Sequence, residues 1–234
     1  MSERRWAAVV VAAGRGTRFG RPKQLVELAG KPMLAWSAQT LASIPQVEQL
    51  VVTTESEWLA DFERVLAAAA LRIPARVIRG GEERQDSVRN ALAFLEDAMP
   101  LTSFVMVHDG ARPLVGADDI RRGMEAVAPG RGALLAVRVV DTIKQTDDSG
   151  RVARTLDRTQ LWAAQTPQFG RLDDLVRAHA DARTAGVRAT DDAALLERIG
   201  VAVSIVEGSV ENFKVTVPAD LERAEMILRT RAAV

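Results

Sequence analysis

Residues Ala12 to Gln24 read AAGRGTRFGRPKQ, two glycines followed by cations at Arg18 and Lys23. Gly14 and Gly16 would let the backbone approach phosphate oxygens closely, with the loop amides free to donate to them. Arg18 and Lys23 suit the charge that develops on a transferred phosphoryl or nucleotidyl group. The plain alternative is a glycine turn carrying surface charges. Neither familiar phosphate fingerprint fits. No Gly-Lys-Ser/Thr closes the loop, since Gly30-Lys31 is followed by Pro32. Gly14, Gly16 and Gly20 are spaced one residue wider than the dinucleotide pattern.

Asp109, in VHDGARP, follows a short apolar run, where a carboxylate can hold Mg²⁺ against substrate phosphates without a full protein cage. It could equally cap a turn, with Gly110 supplying backbone freedom and Arg112 pairing nearby. His108 has no partner in sequence that would make it a base, and no Ser–His–acid set is evident. Three further clusters are open to either reading. GGEERQDSV, with Gly81 and Ser87, could bind a base or ribose, or simply cap a helix. Asp157-Arg158 and Thr166-Pro167-Gln168 flank a short β-prone stretch, and Arg158 could clamp a phosphate or form a surface ion pair. Lys214, in NFKVT, lies between an apolar strand and a final helix.

Those residues need a scaffold, and composition narrows it. The 234-residue chain is 47% hydrophobic and 26% charged, ordinary globular values that argue against disorder. Lys plus Arg equals Asp plus Glu at 31 each, which gives no global electrostatic case for nucleic acid or an anionic membrane. Without cysteine there is no disulfide, thiolate nucleophile or Cys-ligated zinc, and two histidines make no His-rich metal set. The opening apolar run is too short for a membrane span and leads into Gly, Arg and Lys rather than a cleavage site. A cytoplasmic protein that keeps its N-terminus is expected.

Strand and helix signals alternate. Strands are expected at Trp6–Ala12, Val47–Thr54, Ala75–Ile78, Phe104–Val107, Ala133–Val139 and Val201–Val206. Helices are expected at Pro32–Ser43, Glu55–Leu71, Arg84–Ala98, Asp118–Val127, Leu172–Ala185, Asp191–Ile199 and from Thr216-Val217-Pro218 onward. This is an α/β pattern with a mostly parallel sheet flanked by helices, and sites in such sheets lie beyond the strands' C-terminal ends. Thr142 to Leu156 breaks the rhythm. Its β-prone halves surround Asp147-Asp148-Ser149-Gly150, a hairpin signal, and few large apolar groups would anchor it. Residues 1–234 are expected to form one domain with a projecting β-hairpin arm at 140–160.

The ordered set AAGxGxRxGxPKQ, GKPML, GGEERQDSV, HDGARP, DR, QTPQF, TDDA and NFKVT resembles the bacterial 2-C-methyl-D-erythritol 4-phosphate cytidylyltransferase family, from about residue 7 to residue 228. The resemblance implies a Rossmann-like nucleotidyltransferase sheet and a Mg²⁺-dependent transfer of the cytidylyl group from CTP to 2-C-methyl-D-erythritol 4-phosphate. It also implies a homodimer built through the arm. Arg18 and Lys23 match the family's transition-state cations. Arg158 and Lys214 match its acceptor-phosphate positioning residues, and Asp109 its metal-associated aspartate. CTP is expected at Ala12, Ala13, Gly14, Gly16, Gly81, Ser87 and Asp109, with Thr166 and Asp191 as further pocket positions. The chain ends soon after Lys214, so a stand-alone transferase is expected rather than a fusion. The nearest alternative is a cytidylyltransferase for ribitol 5-phosphate. A noncatalytic nucleotide sensor is the alternative from another class.

Overall fold

The structure is a computed structural model and describes residues 4–13 and 21–232. Its organising element is β1 (Trp6–Val11), buried at all six positions. Trp6, Ala8 and Val10 join one core cluster, while Ala7, Val9 and Val11 join another. That split is the period-two alternation of a strand with protein on both faces. It explains why the run reads as continuously apolar.

Short pairs β2 (Glu27–Leu28) and β3 (Lys31–Pro32) precede α1 (Met33–Ala42), which leads to β4 (Val47–Thr54), α2 (Leu59–Ala68) and β5 (Ala75–Arg79). The chain then crosses back through α3 (Arg84–Ala98) to β6 (Phe104–Asp109), and continues with α4 (Ala117–Ala126) and β7 (Arg131–Arg138). A hairpin, β8 (Lys144–Thr146) and β9 (Val152–Thr155), comes before β10 (Trp162–Arg171). The chain closes with α5 (Leu172–Thr184), α6 (Asp192–Arg198), β11 (Ala202–Glu207) and α7 (Pro218–Ala232). The main sheet has seven strands in the order β11-β7-β10-β6-β1-β4-β5. β10 pairs antiparallel with both neighbours, and the other strands pair in parallel. Side chains of α1, α2 and α4 pack in the cluster on one face, and those of α3, α5 and α6 on the other. The α/β architecture is the one expected.

Two expectations need revision. β10 is a ten-residue strand in the middle of the sheet, not a short β-prone stretch. Pro167 conceals it, because proline cannot donate to a ladder. Here it falls between Ala164 and Gln168, where the pairing with β7 is interrupted. The second helix also starts later and ends earlier than expected, after a separate turn at Ser56–Trp58. The hairpin forms where expected and is not paired with the main sheet. Every residue of β8 and β9 is exposed, and Asp147 Oδ1 closes the turn by accepting from the amides of Ser149 and Arg151.

Phe169 ties β10 into the core. Its ring is fully buried and meets Trp6 edge-on at 6.1 Å, while Trp6 stacks on Phe104 at 5.1 Å. Truncating a buried aromatic loses transfer energy and leaves a cavity. Phe169→Ala should therefore cost about 3–5 kcal/mol, read as a lower denaturation midpoint at unchanged m.

Candidate functional site

β1 is the switch point of the sheet: β4 and β5 lie to one side and β6 to the other. Val11 aligns with both Thr53 of β4 and Asp109 of β6, so three C-terminal strand ends share one level. Open α/β sheets place ligands at such a crevice. Ala12 continues from β1, its amide donating to Thr53 O at 2.9 Å, and Ala13 opens onto a cavity of about 730 Å³. Gly80, Gly81, Arg84 and Asn90 also line it. Gly14, Gly16 and Arg18 lie outside the described residues.

The wall formed by Gly81 is built for close approach. A Cβ there would lie 2.2 Å from Asp86 Cβ, so no other residue fits without moving α3. The Gly81 amide donates to Ser87 Oγ at 3.0 Å, and that hydroxyl donates to Glu83 O at 3.1 Å. Ser87 is fully buried, and its hydroxyl folds the loop back onto the first turn of α3.

Asp109 is the last residue of β6 rather than a residue beyond it. Its Oδ1 accepts from Arg84 Nε at 3.1 Å and its Oδ2 from Lys214 Nζ at 2.8 Å. Burial pushes its carboxyl toward the neutral form, but Arg84 and Lys214 outweigh that and hold it well below the usual carboxylate range. Burial works against the Arg84 charge as well, and Asp192 and Asp109 together more than offset it. The Arg112 amide donates to Asp109 O at 2.9 Å, but its side chain does not pair with the Asp109 carboxylate. Its guanidinium donates to Asn212 O at 2.7 Å and Ala164 O at 3.4 Å.

β10 supplies the support. Thr166 Oγ1 accepts from the Asp109 amide at 2.9 Å and donates to His108 Nδ1 at 3.1 Å. His108 Nε2 then donates to Arg112 O at 3.0 Å, the tautomer in which each group has a partner. Burial pushes His108 down to about 4, so it is neutral near pH 7 and its ring nitrogens are both engaged. This is a packed histidine. Asn212 Nδ2 donates to Thr166 O at 2.9 Å, which holds the 212–215 segment against β10. Lys214 thereby reaches Asp109, and Lys23 Nζ donates to Val215 O at 2.8 Å.

The expected site residues thus fall into two groups. Ala13, Gly81, Lys23, Asp109, Thr166 and Lys214 converge on the C-terminal edge of the sheet. Arg158, in a short turn after the hairpin, is exposed, and its side chain donates to Val140 O and not to the Asp109 cluster. Asp191 caps α6, accepting from Ala194 N at 3.0 Å and from Gln168 Nε2 at 2.9 Å. Arg84 and Asp192 were not singled out from sequence. Arg84 stands inside a quoted motif, but its partners are 25 and 108 residues away, beyond any local spacing signal. Among the described residues no group of three or more His, Cys, Asp or Glu could hold a metal; Asp109 ends β6 at this edge, and Glu55, Glu82, Glu83 and Asp86 line the cavity beside it.

The fold and site define an α/β protein whose cleft, edged with ammonium, guanidinium and carboxylate groups, suits a phosphorylated ligand. Residues 6–230 match the IspD family model, 2-C-methyl-D-erythritol 4-phosphate cytidylyltransferase. The chain is 44% identical to the protein of that name from Pelotomaculum thermopropionicum, over 96% of this chain and 94% of the relative. It is 40% identical to the one from Geobacillus kaustophilus, over 97% and 99%. The crystal structure of the Francisella tularensis protein superposes with a TM-score of 0.79 at 32% identity, covering 95% of this chain and 99% of that one. The chain belongs to the 2-C-methyl-D-erythritol 4-phosphate cytidylyltransferase family.

Thr166 offers a direct test of how the edge is held. Thr166→Val removes one buried hydroxyl that serves two partners, leaving the Asp109 amide without an acceptor. The expected loss is about 1–3 kcal/mol by chemical denaturation, with Thr166→Ser recovering most of it. Equal stability of the Thr166→Val variant and the wild-type protein would show that water replaces the hydroxyl.

Proposed function

We propose that this chain transfers the cytidylyl group of CTP to 2-C-methyl-D-erythritol 4-phosphate, releasing diphosphate, as a step in isoprenoid precursor synthesis. The observation that carries this reading is the convergence of Lys23, Lys214, Asp109 and Arg84 beside the Gly81 cavity, in a chain of this family. An oxygen of the acceptor's 4-phosphate attacks the α-phosphorus, and the bond from that phosphorus to the bridging oxygen of diphosphate breaks. The nucleophile is already anionic near neutral pH, so no base is needed. That agrees with the engaged ring of His108. Alignment and electrostatic stabilisation carry the rate.

In this reading Arg18 and Lys23 face the charge developing on the CTP phosphates, and Gly14 and Gly16 let the loop amides approach. The Gly81–Ser87 loop holds the cytidine. Lys214 has three donors, so it can keep Asp109 while offering a hydrogen to the acceptor phosphate. Arg158 would contribute a two-pronged contact to the same phosphate. Asp109 would hold Mg²⁺, which neutralises phosphate charge when bound; one carboxylate plus substrate phosphates suits this ion better than an all-protein cage. Both substrates are polyanions retained inside cells, which makes the cytoplasm the expected location. Among the described residues no helix is long and apolar enough to cross a membrane.

Parallel assays of diphosphate release from CTP, with methylerythritol phosphate and with ribitol 5-phosphate, test the assignment. Methylerythritol phosphate should be preferred. Release with ribitol phosphate alone would reassign the enzyme, and CTP binding without release would make it a sensor. In the same assay Arg18→Ala and Lys23→Ala should slow the single-turnover rate more than about tenfold at saturating CTP. Arg158→Ala and Lys214→Ala should instead weaken acceptor binding more than CTP binding.

The arm belongs to the proposal as a dimer element. An isolated two-stranded ribbon is marginal in water, and Val140 and Val152 are 76% and 60% exposed. A second copy that covers the arm, with its own 142–156 arm packed near this chain's active site and helping to position Arg158, would account for both. Deleting residues 142–156 should change sedimentation and turnover together, and a fully active monomer would refute the role.

A further inference from the structure

We infer that Asp192, braced by His179, positions Arg84 so that only one arm of its guanidinium reaches Asp109. The inference deepens the cytidylyl-transfer reading and rests on it. Neither Asp192 nor His179 lines the cavity beside Arg84. Arg84 divides its fork between two carboxylates: Nε donates to Asp109 Oδ1 at 3.1 Å, and Nη1 to Asp192 Oδ2 at 2.8 Å. The remaining Asp192 oxygen accepts from His179 Nε2 at 3.0 Å. The side chains of Asp192 and His179 are 1% and 2% exposed.

A carboxylate withdrawn this completely from water is retained only with partners, and an apolar side chain would pack there more cheaply. What the charge supplies is geometry. An arginine left alone with a carboxylate favours the parallel two-bond fork. Here Asp192 claims Nη1, and Asp109 Oδ2 stays available for Lys214. Asp192 cannot follow Arg84 toward the cleft. Gln168 Oε1 accepts from the Asp192 amide at 2.8 Å and the Ala193 amide at 2.9 Å, so the first turn of α6 is pinned to β10. His179 holds the carboxylate from α5. Two fixed anchors, on β10 and α5, therefore set the angle at which Arg84 meets Asp109.

Without the Asp192 charge, Arg84 either closes its fork on Asp109, competing with Lys214, or swings away. Both change the site without removing any group that touches substrate. Asp192 is thus a positioning residue, and its effect has to pass through Arg84.

A double-mutant cycle tests that route. Arg84→Ala and Asp192→Asn should each lower kcat/KM for the acceptor by about tenfold or more. The double variant should be no worse than the poorer single one. His179→Leu should act in the same direction, and His179→Gln, which keeps a donor for Asp192, should recover most of that loss; this pair makes the same test if Asp192→Asn does not fold. An activity-independent readout is hydrogen exchange at Arg84 Nε–H in the ligand-free protein, with the signal assigned by its loss in Arg84→Lys. Exchange should be at least about tenfold faster in Asp192→Asn, or in His179→Leu, than in wild type. Multiplying effects in the cycle, or unchanged exchange, would overturn the positioning role. Wild-type protein that releases no diphosphate would instead sink the functional reading, and the exchange measurement would still decide this one.

Discussion

The carboxylate of Asp109 sits where burial alone would favour its neutral form, and it stays ionised because two cations reach it. Those cations arrive from segments far apart in the chain. Arg84 is brought by the first turn of α3, and Lys214 by the segment that approaches α7. The ion cluster therefore joins the cleft wall to the C-terminal part of the chain. Its geometry is demanding. A buried pair with one member missing leaves an uncompensated charge, so each cation has to be delivered in register. The backbone contacts around it serve that requirement: Ala12 to Thr53 O, Gly110 to Val11 O and Val215 to Ala111 O.

β10 is the element through which that register is enforced. A strand carrying Gln165, Thr166 and Gln168 at buried positions would ordinarily be unfavourable in the middle of a sheet. Here each polar side chain holds a different segment. Gln165 Nε2 donates to Ser209 O, Thr166 supports Asp109, and Gln168 pins the start of α6. The polar side-chain atoms of these three residues all have partners, and buried networks satisfied in that way rigidify and specify a structure. The antiparallel direction of β10 brings its Thr166–Gln168 stretch up to the C-terminal half of β6, where Gln168 faces Val107.

The parts of the fold legible in sequence are those governed by local periodicity. The strand at Val47–Thr54 and the helix at Arg84–Ala98 have the expected bounds, because an apolar face and its flanking turns are encoded within one segment. β10 was only partly legible, because its signal depends on partners that satisfy its polar groups, and Pro167 reads locally as a break. The ion cluster fails to show for a related reason. Proximity in sequence suggested Arg112 as the partner of Asp109, yet the backbone after β6 turns Arg112 toward Asn212 O, and Arg84 takes its place. Lys214 stood out through the ordered series of motifs rather than through anything its own neighbours imply. Asp192 stands inside the TDDA motif, but its spacing does not mark it out from Asp191; its significance lies in bonds to Arg84, 108 residues away, and to His179.

In the proposed reaction the charges of Asp109, Arg84 and Lys214 are set in advance as internal ion pairs. That has a physical consequence for binding. In the proposed reaction a phosphate that approaches Asp109 meets two cations already paired with that carboxylate. It competes for hydrogens on Lys214, which is 43% exposed and has more donors than Asp109 can use. The attraction gained is partly offset by what is given up, so ground-state binding is moderated. The preset orientation remains, and no reorganisation is needed when charge builds up on the reacting phosphates. Arg84 differs from Lys214 in this respect. It is divided between two buried carboxylates and has little freedom to follow a ligand. Asp109 thus joins a half-exposed cation, Lys214, to a more buried one, Arg84. In the proposed reaction Lys214 is the one that exchanges partners as substrate enters, while Arg84 keeps Asp109 in place.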